Sequence, residues 1–405
     1  MTSGRVQLAA PGLQDEFLTG SPDTSYFLKR FSRYTKFALE ILDSSFDQST
    51  IDFGSYLTCT IPRKGQLIRS MYLKLVLPVL SAGGYTDAIG HALIEWADLV
   101  IGGKTIERIN GEYMQIYSQA FLGESQQNAL TYLVGDTKGV GLGPASTDPA
   151  NPYGPYPRTL MVPLPFYFIR NESLAIPLCA LTRHEVEVRI KLRPLSQVTI
   201  PTTPVTSLTS LSASLPVEYV FLADDEVTTL QNTKIDYVIT QLQLARDVLL
   251  PGQTSINTRL EFINPVKELF FIIQDSHVLQ NNDYFNFKNT DTTNDNLDNL
   301  ELTFNGEILL DSQVADQLYL SILQFMNCHT RVPEMYVYNY SFSIDPENYL
   351  PTGQVNMSRI LNKILTINTT ANTNQRDIRV YAKSYNILRI QSGISGVLFT
   401  DNNFI

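Results

Sequence analysis

Along this chain of 405 residues the strongest regularity is an apolar position at every second residue, the period that sends alternate side chains to opposite faces of a β-sheet. From His184 to Leu192, Val186, Val188, Ile190 and Leu192 point one way and Glu185, Glu187, Arg189 and Lys191 the other. Met71, Leu73, Leu75 and Leu77 alternate with Tyr72, Lys74 and Val76, and Tyr336, Tyr338, Tyr340, Phe342 and Ile344 alternate with Val337, Asn339, Ser341 and Ser343. Each stretch predicts a strand with one face on a core, the signature of a sandwich. Gly102-Gly103 between LVI and KTIERI, and Asn305-Gly306 between LELTF and EILL, tolerate positive φ and predict two-residue hairpins. From Gly111 to Val134 the period changes, with Tyr113, Ile116, Tyr117 and Ala120 at helical intervals, so a helix is expected there between strands.

Three segments break the pattern. Gly135 to Arg158 is rich in Gly and Pro and Asn281 to Asn299 in Asn, Asp and Thr, so both are expected to be loops that bury little apolar surface. Ile200 to Pro216 is free of charge and dense in Ser, Thr and Pro, as in a connector or extended surface loop. This third break lies near the middle of the chain, and the halves on either side look alike at a shift of about two hundred residues. Asp98 to Gly103 matches Glu301 to Gly306 in pattern, and Ile68 to Leu73 matches Val266 to Phe271 in the same order. The reading is a duplicated β unit.

Composition supports two β domains of roughly 200 residues each. Hydrophobic residues make up 43%, charged residues only 17%, and Tyr and Phe together supply 41 positions, which favours half-buried sheets over solvated helices. A formal net charge of −10 without clustered Lys or Arg argues against direct binding of nucleic acid. Cys59, Cys179 and Cys328 are too scattered for a disulfide framework or a C-x-x-C zinc site, and are expected to be buried small hydrophobes in a protein folded in a reducing compartment. The opening MTSGRVQLAAPGLQDEF lacks an apolar core of signal-peptide length, and no run is long enough to span a membrane. The expectation is soluble, cytoplasmic folding.

Candidate chemistry fails on spacing. IGGKT has Asp98 where a phosphate-binding loop needs Gly, and His184-Glu185 lacks the second His of a zinc-protease helix. Asp291, Thr293 and Asp295 begin like a calcium loop, but Asn296 replaces the required Gly and Leu302 the bidentate Glu, so a solvated acidic loop is expected. No G-x-S-x-G elbow occurs. Asn171, Asn339, Asn356 and Asn368 head N-x-S/T sequons, the kind that chance occurrence accounts for. No catalytic group, cofactor or metal is expected.

The residues do carry a family resemblance. GLQDEFLTGSPDTSYFLKRFSRYTKFALE resembles the opening of major capsid proteins of nucleocytoplasmic large DNA viruses, above all the algal-virus branch. HALIEWADLVIGGKTIERINGEYMQIYS, PFYFIRNESLAIPLCALTRHEVEVRIKL, VEYVFLADDEVTTLQNTKIDYVITQLQ, FINPVKELFFIIQ, YVYNYSFSIDPENYLPTGQVNMSR and RVYAKSYNILRIQSGISGVLF are similar to its later blocks, in order. Departures are a compact chain where family members often carry longer loops, and Asn264 where His is common. The resemblance implies an all-β double jelly roll, two tandem eight-stranded units with short helices in inter-strand insertions, divided as an N-terminal arm (1–25), a first jelly roll (26–215) and a second (216–405). It implies a structural capsid protein in a homotrimeric, pseudo-hexagonal capsomer of an icosahedral virion, assembled in the host cytoplasm. Partners would be neighbouring capsomers and minor capsid proteins beneath the shell, near an internal membrane that the chain does not span. Gln14 and Asp15 match the family's arm motif at the inner face, and Gly353, Asn356, Ser358 and Arg359 match a motif that shapes a turn, with Arg359 open to an intersubunit role. The competing readings are a minor capsid paralogue of the same fold and a β-sandwich carbohydrate-binding protein.

Overall fold

The computed structural model describes residues 2–29, 31–78, 80, 84–136, 158–200, 211–291 and 295–399. It forms two units, Met1–Lys36 and Phe37–Ile405. The first contains short helices at Ser3–Ala9 and Glu16–Thr19, and its described residues are exposed.

The second unit begins with strands β1 (Phe37–Ser44), β2 (Tyr56–Thr60), β3 (Leu67–Leu77), β4 (Ile94–Ile101), β5 (Lys104–Ile109), β6 (Arg158–Pro163), β7 (Val186–Leu192) and β8 (Ser212–Leu222). They pair antiparallel as two sheets, ordered β1-β8-β3-β6 and β2-β7-β4-β5. Next come β9 (Ile235–Leu249), β10 (Ser255–Arg259), β11 (Pro265–Asp275), β12 (Leu297–Phe304), β13 (Glu307–Leu310), β14 (Tyr338–Ser341), β15 (Lys363–Thr369) and β16 (Arg376–Gln391). Their order is β9-β16-β11-β14 and β10-β15-β12-β13. Adding eight to each strand number of the first set gives the second; short strands outside this numbering, such as Ile394–Val397 paired with β16, are added to these sheets. The chain is thus a duplicated jelly roll, and the sequence matches noted above fall on equivalent strands, β3 with β11 and β4 with β12.

Local chemistry explains much of this. β7 follows its alternation, with Val186, Val188, Ile190 and Leu192 buried and the charged residues between them half-buried. Gly102 and Gly103 turn β4 into β5 at φ of 60° and 79°, and Asn305 and Gly306 turn β12 into β13 at 51° and 93°, as two-residue hairpins require. The IGGKT segment is this first hairpin, and His184, two residues before β7, accepts a hydrogen bond at Nδ1 from the Ser395 amide (3.0 Å).

The structure corrects several expectations. The single helix over Gly111 to Val134 is two, α1 (Gly111–Ala120) and α2 (Glu124–Val134). Asn110 caps α1 by accepting from the Tyr113 amide (2.8 Å), whereas extended Gly123 restarts the helix and donates to Gln126 Oε1 (3.3 Å). The alternation over Tyr336 to Ile344 breaks down: within β14 Tyr338 and Asn339 are both buried and Tyr340 and Ser341 both half-buried, and beyond it Ser341 Oγ donates to the Ser343 carbonyl (2.7 Å) and accepts from its amide (3.1 Å), with Ile344 exposed.

The described residues of the Asn-rich segment 281–299 are buried more than a solvated loop would be, although Asn281 and Asp291 are exposed. Asn282, Phe287, Asn289, Asp295 and Asn296 are buried, and amide side chains supply the hydrogen bonds that make this possible. Asn296 donates to the carbonyls of Phe287 (2.9 Å) and Ile273 (3.2 Å), and Asn372 donates to Asp275 (3.1 Å) and Asn289 (3.0 Å). Asp291 accepts from Thr373, while burial pushes the Asp295 carboxyl up to about 6; Thr293 lies outside the described residues. Among the described residues no cluster of His, Cys, Asp and Glu could hold a metal ion.

In the charge-free connector, 201–210 lie outside the described residues, but Ser212 onward is strand β8, paired with β1 and β3. The expected division between Leu215 and Pro216 therefore lies within a strand of the first sandwich. Of the Gly-rich loop, 137–157 lie outside the described residues. Cys59 is fully buried, its thiol pushed up to about 12 by burial, but Cys179 and Cys328 are only half-buried. No described helix is long and apolar enough to cross a membrane.

Candidate functional site

Strand β11 is buried on both faces. Leu269, Phe271 and Ile273 enter the core of the second sandwich, while Phe270 and Ile272 join the core of the first. A sheet covered on both sides in this way is a partition between layers, and its outward face must satisfy any charge it carries. Along this face and that of neighbouring β16 stand Glu268, Gln274, Arg379, Tyr381 and Lys383, all buried. The seam between the sandwiches is consequently apolar with ion pairs set into it.

One group of contacts centres on α1. Arg379 pairs with Glu112 (2.8 Å), Tyr381 Oη donates to Glu112 Oε1 (2.7 Å), and Asn110 donates to Tyr381 Oη (2.8 Å). Asn110 thus caps the helix with its oxygen and reaches the second sandwich with its nitrogen. A second group centres on Arg170, which pairs with buried Glu107 and donates to Thr240 Oγ1 on β9 (2.7 Å). Burial raises the Glu107 carboxyl above its ordinary range, against the pull of Arg170.

The third group is the most buried. The Glu268 carboxylate lies 3.0 Å from Lys383 Nζ and 3.1 Å from His329 Nε2, and His329 Nδ1 lies 3.3 Å from Glu347. Phe121, from the segment joining α1 to α2, covers this group, with Lys383 Nζ 4.1 Å from its ring centre. Burial opposes ionisation throughout, but Lys383 and His329 together hold Glu268 below the usual carboxylate range. Burial likewise works against the charge on His329, yet Glu268 and Glu347 outweigh it and raise its pKa above 6.5.

A pH dependence follows. A histidine whose folded-state pKa is raised contributes stability that is complete below its unfolded value of 6.5 and is lost as pH rises through the folded value. Wild type should therefore exceed His329→Gln in stability most clearly in mildly acidic solution, with the gap closing at alkaline pH. Paired urea titrations across that range check it, and a gap that widens with rising pH would refute the assignment. Glu347, held low against burial by His329 and Thr330, acts with opposite sign, losing its contribution as pH falls below the usual carboxylate range.

The segment Pro351 to Arg359 is a second structured site. Val355 and Asn356 pair with Val266 and Pro265 at the start of β11. Asn356 accepts from the Ser358 amide (3.1 Å), Ser358 Oγ accepts from the Asn264 amide (2.8 Å), and the Asn264 carbonyl accepts from Met357 (3.0 Å). Asn264 holds φ of 66°, a left-handed conformation that Asn accepts readily. Lys363 Nζ donates to the carbonyls of Phe262, Met357 and Ile360, closing the turn from below. At Gly353, with φ of 148°, a Cβ would sit 2.6 Å from the Phe342 carbonyl. Gly353→Ala should cost about 1–3 kcal/mol by thermal unfolding, and a neutral result would show that the loop can shift.

Comparison with known proteins now decides the family. A model described as "Major capsid protein N-terminus" matches residues 25–225, and one described as "Large eukaryotic DNA virus major capsid protein" matches 226–396. The chain is 30% identical to the major capsid protein of Pyramimonas orientalis virus, over 99% of this chain and 100% of that protein. This chain belongs to the major capsid protein family of large eukaryotic DNA viruses. It is also 29% identical to the major capsid protein of Phaeocystis pouchetii virus, over 99% of this chain and 100% of that one. A solved chain of the PBCV-1 virus capsid superposes with a TM-score of 0.81 at 25% identity, over 93% of this chain and 100% of that chain. The family is structural, and the chain is a capsid protein, not an enzyme.

For a capsid protein the residues singled out by the sequence fall in three places. Gln14 and Asp15 are exposed in the first unit, where Asp15 Oδ2 accepts from the Gly12 amide (2.8 Å). Gly353, Asn356 and Ser358 shape the turn just described, and exposed Arg359 lies at its end. Of the sequons, Asn339 is buried and donates to the Leu269 carbonyl (3.3 Å), Asn368 donates to Asn299 (2.7 Å), Asn171 caps a short helical turn, and Asn356 is exposed but engaged with Ser358. The seam residues Glu107, Glu112, Arg170, Glu268, His329, Arg379 and Lys383 were not among them. The available signal was the run VKELFFIIQD, too continuously apolar for a strand with a wet face.

Proposed function

We propose that three copies of this chain close into a pseudo-hexagonal capsomer, and that capsomers tile the icosahedral shell of a virion containing double-stranded DNA. The observation that carries this reading is that the order of the eight main strands repeats in the two sandwiches. Three chains then offer six similar lobes, able to pack hexagonally while the halves of each chain still differ in their contacts. The division of the chain into an arm and two jelly rolls belongs to this proposal, with the junction at α3 (Asp224–Asn232), between β8 and β9.

In this reading the arm, carrying Gln14 and Asp15, lies at the inner face of the shell, near minor capsid proteins and an internal membrane, while Gly353, Asn356, Ser358 and Arg359 shape their turn and leave Arg359 open to a neighbouring subunit. Assembly takes place in the host cytoplasm. Light scattering on the purified chain should give roughly three times 45.6 kDa, and copy number in particles should be that of the main shell component rather than of a minor paralogue. A monomer that binds glycans would instead favour a carbohydrate-binding role. Deleting residues 2–25 should leave trimers intact and abolish their incorporation into shells; unchanged incorporation would place the arm elsewhere.

A further inference from the structure

A cavity of about 350 Å³ opens in the seam, lined from the first sandwich by Tyr117, Arg170 and Leu174 and from the second by Val238, Lys267 and Tyr385. Its charges are unevenly matched. Arg170 is paired with Glu107, and Lys383, also in the lining, with Glu268. The lining carboxylate of Glu347 is turned toward His329 and Thr330, whose amide it accepts at 2.8 Å. Lys267 is different. It is only 3% exposed, its ammonium donates to the Pro346 carbonyl (2.6 Å) and faces the Tyr385 ring at 5.3 Å, and among the described residues it forms no ion pair. An ammonium has three protons to donate, and one is used. Burial, reinforced by the neighbouring charges of Lys383 and Arg170, holds its pKa well below the ordinary lysine range, with Glu268 and Asp345 pulling the other way. The lining residue Tyr167 has a buried hydroxyl with no hydrogen-bond partner.

The remaining wall carries no further charge, mixing the polar side chains of Asn171, Thr240 and Asn348 with apolar surface. Tyr117, Leu174, Val238 and Tyr385 present aromatic and aliphatic surface, and the volume falls at the small end of the range for organic ligands. We propose that this cleft is a binding site for a small organic monocarboxylate, its carboxylate accepting from Lys267 and holding it protonated, and its aromatic or branched body packed between the sandwiches. A compact cation would meet three basic side chains, and a neutral molecule would bring no counter-charge to hold a proton on Lys267. Because both sandwiches supply the walls, the bound acid would brace them against each other and raise the unfolding temperature by mass action.

Calorimetry and thermal unfolding of the full chain with benzoate, benzamide and benzylamine test this. Benzoate should bind saturably with a dissociation constant at or below about 1 mM and raise the Tm, and the neutral and cationic analogues should bind at least about tenfold more weakly. Lys267→Met, which orphans no carboxylate, should fold and lose the preference for benzoate over benzamide. Val238→Trp, which fills the cleft without touching its charge, should abolish binding of both. Absence of saturation up to about 10 mM, equal binding of benzoate and benzamide, or undiminished benzoate binding by either variant would overturn the proposal. None of these outcomes depends on the number of chains in the capsomer.

Discussion

Replacing Glu268 with alanine should lower stability by about 3–5 kcal/mol, the usual cost of removing one partner from a buried ion pair. The carboxylate is 0% exposed and serves two cations at once, Lys383 and His329, so its loss leaves both buried without their shared counter-charge. Urea titration read by tryptophan fluorescence provides the measurement, since Trp96 on β4 is the only tryptophan. A companion pair of changes, Glu268→Leu with Lys383→Met, should recover part of the loss, because Lys383 is no longer stranded and His329 keeps Glu347 as its remaining counter-charge. A Glu268→Ala protein within about 0.5 kcal/mol of wild type would mean that water reaches the group and screens it.

Gly111→Ala should be comparably damaging for a steric reason. A Cβ there would lie 2.0 Å from the His91 carbonyl oxygen and 2.6 Å from that of Ile94, and both obstacles are backbone. The first turn of α1 would have to lift away, carrying Glu112 off Arg379 and Tyr381 and so loosening the seam. A loss of about 3 kcal/mol is expected, at the upper end for overpacking. Gly103→Ala is the control: nothing lies within 4 Å of its added Cβ, and only its φ of 79° opposes the change, for about 1–2 kcal/mol. Equal midpoints for the two variants would show that the close approach at Gly111 relaxes freely.

The parts of the fold readable in the sequence are those in which one local rule operates alone. Strand β7 has a core on one side and a polar surface on the other, so period two describes it completely, and the hairpins at Gly102-Gly103 and Asn305-Gly306 need only residues that accept positive φ. The repeat could be read because equivalent strands kept both pattern and order. The seam could not be read in this way. On β16, Arg379, Tyr381, Lys383 and Tyr385 alternate with Ile378, Val380, Ala382 and Ser384, which by periodicity looks like a solvated face opposite a core. That face meets Glu112, Phe121 and Glu268, contributed from distant parts of the chain or from the adjacent strand, and no local window contains that information. The Asn-rich segment 281–299 misled for a related reason: polarity signals solvent only when no other buried amide is available as a partner.

The continuous packing of β11 into two cores has a mechanical consequence. A strand gripped from both sides, with salt links at its margins, cannot act as a hinge, so the two lobes of each molecule move as one stiff tile. Any curvature that a closed container demands must then come from the joints between separate molecules.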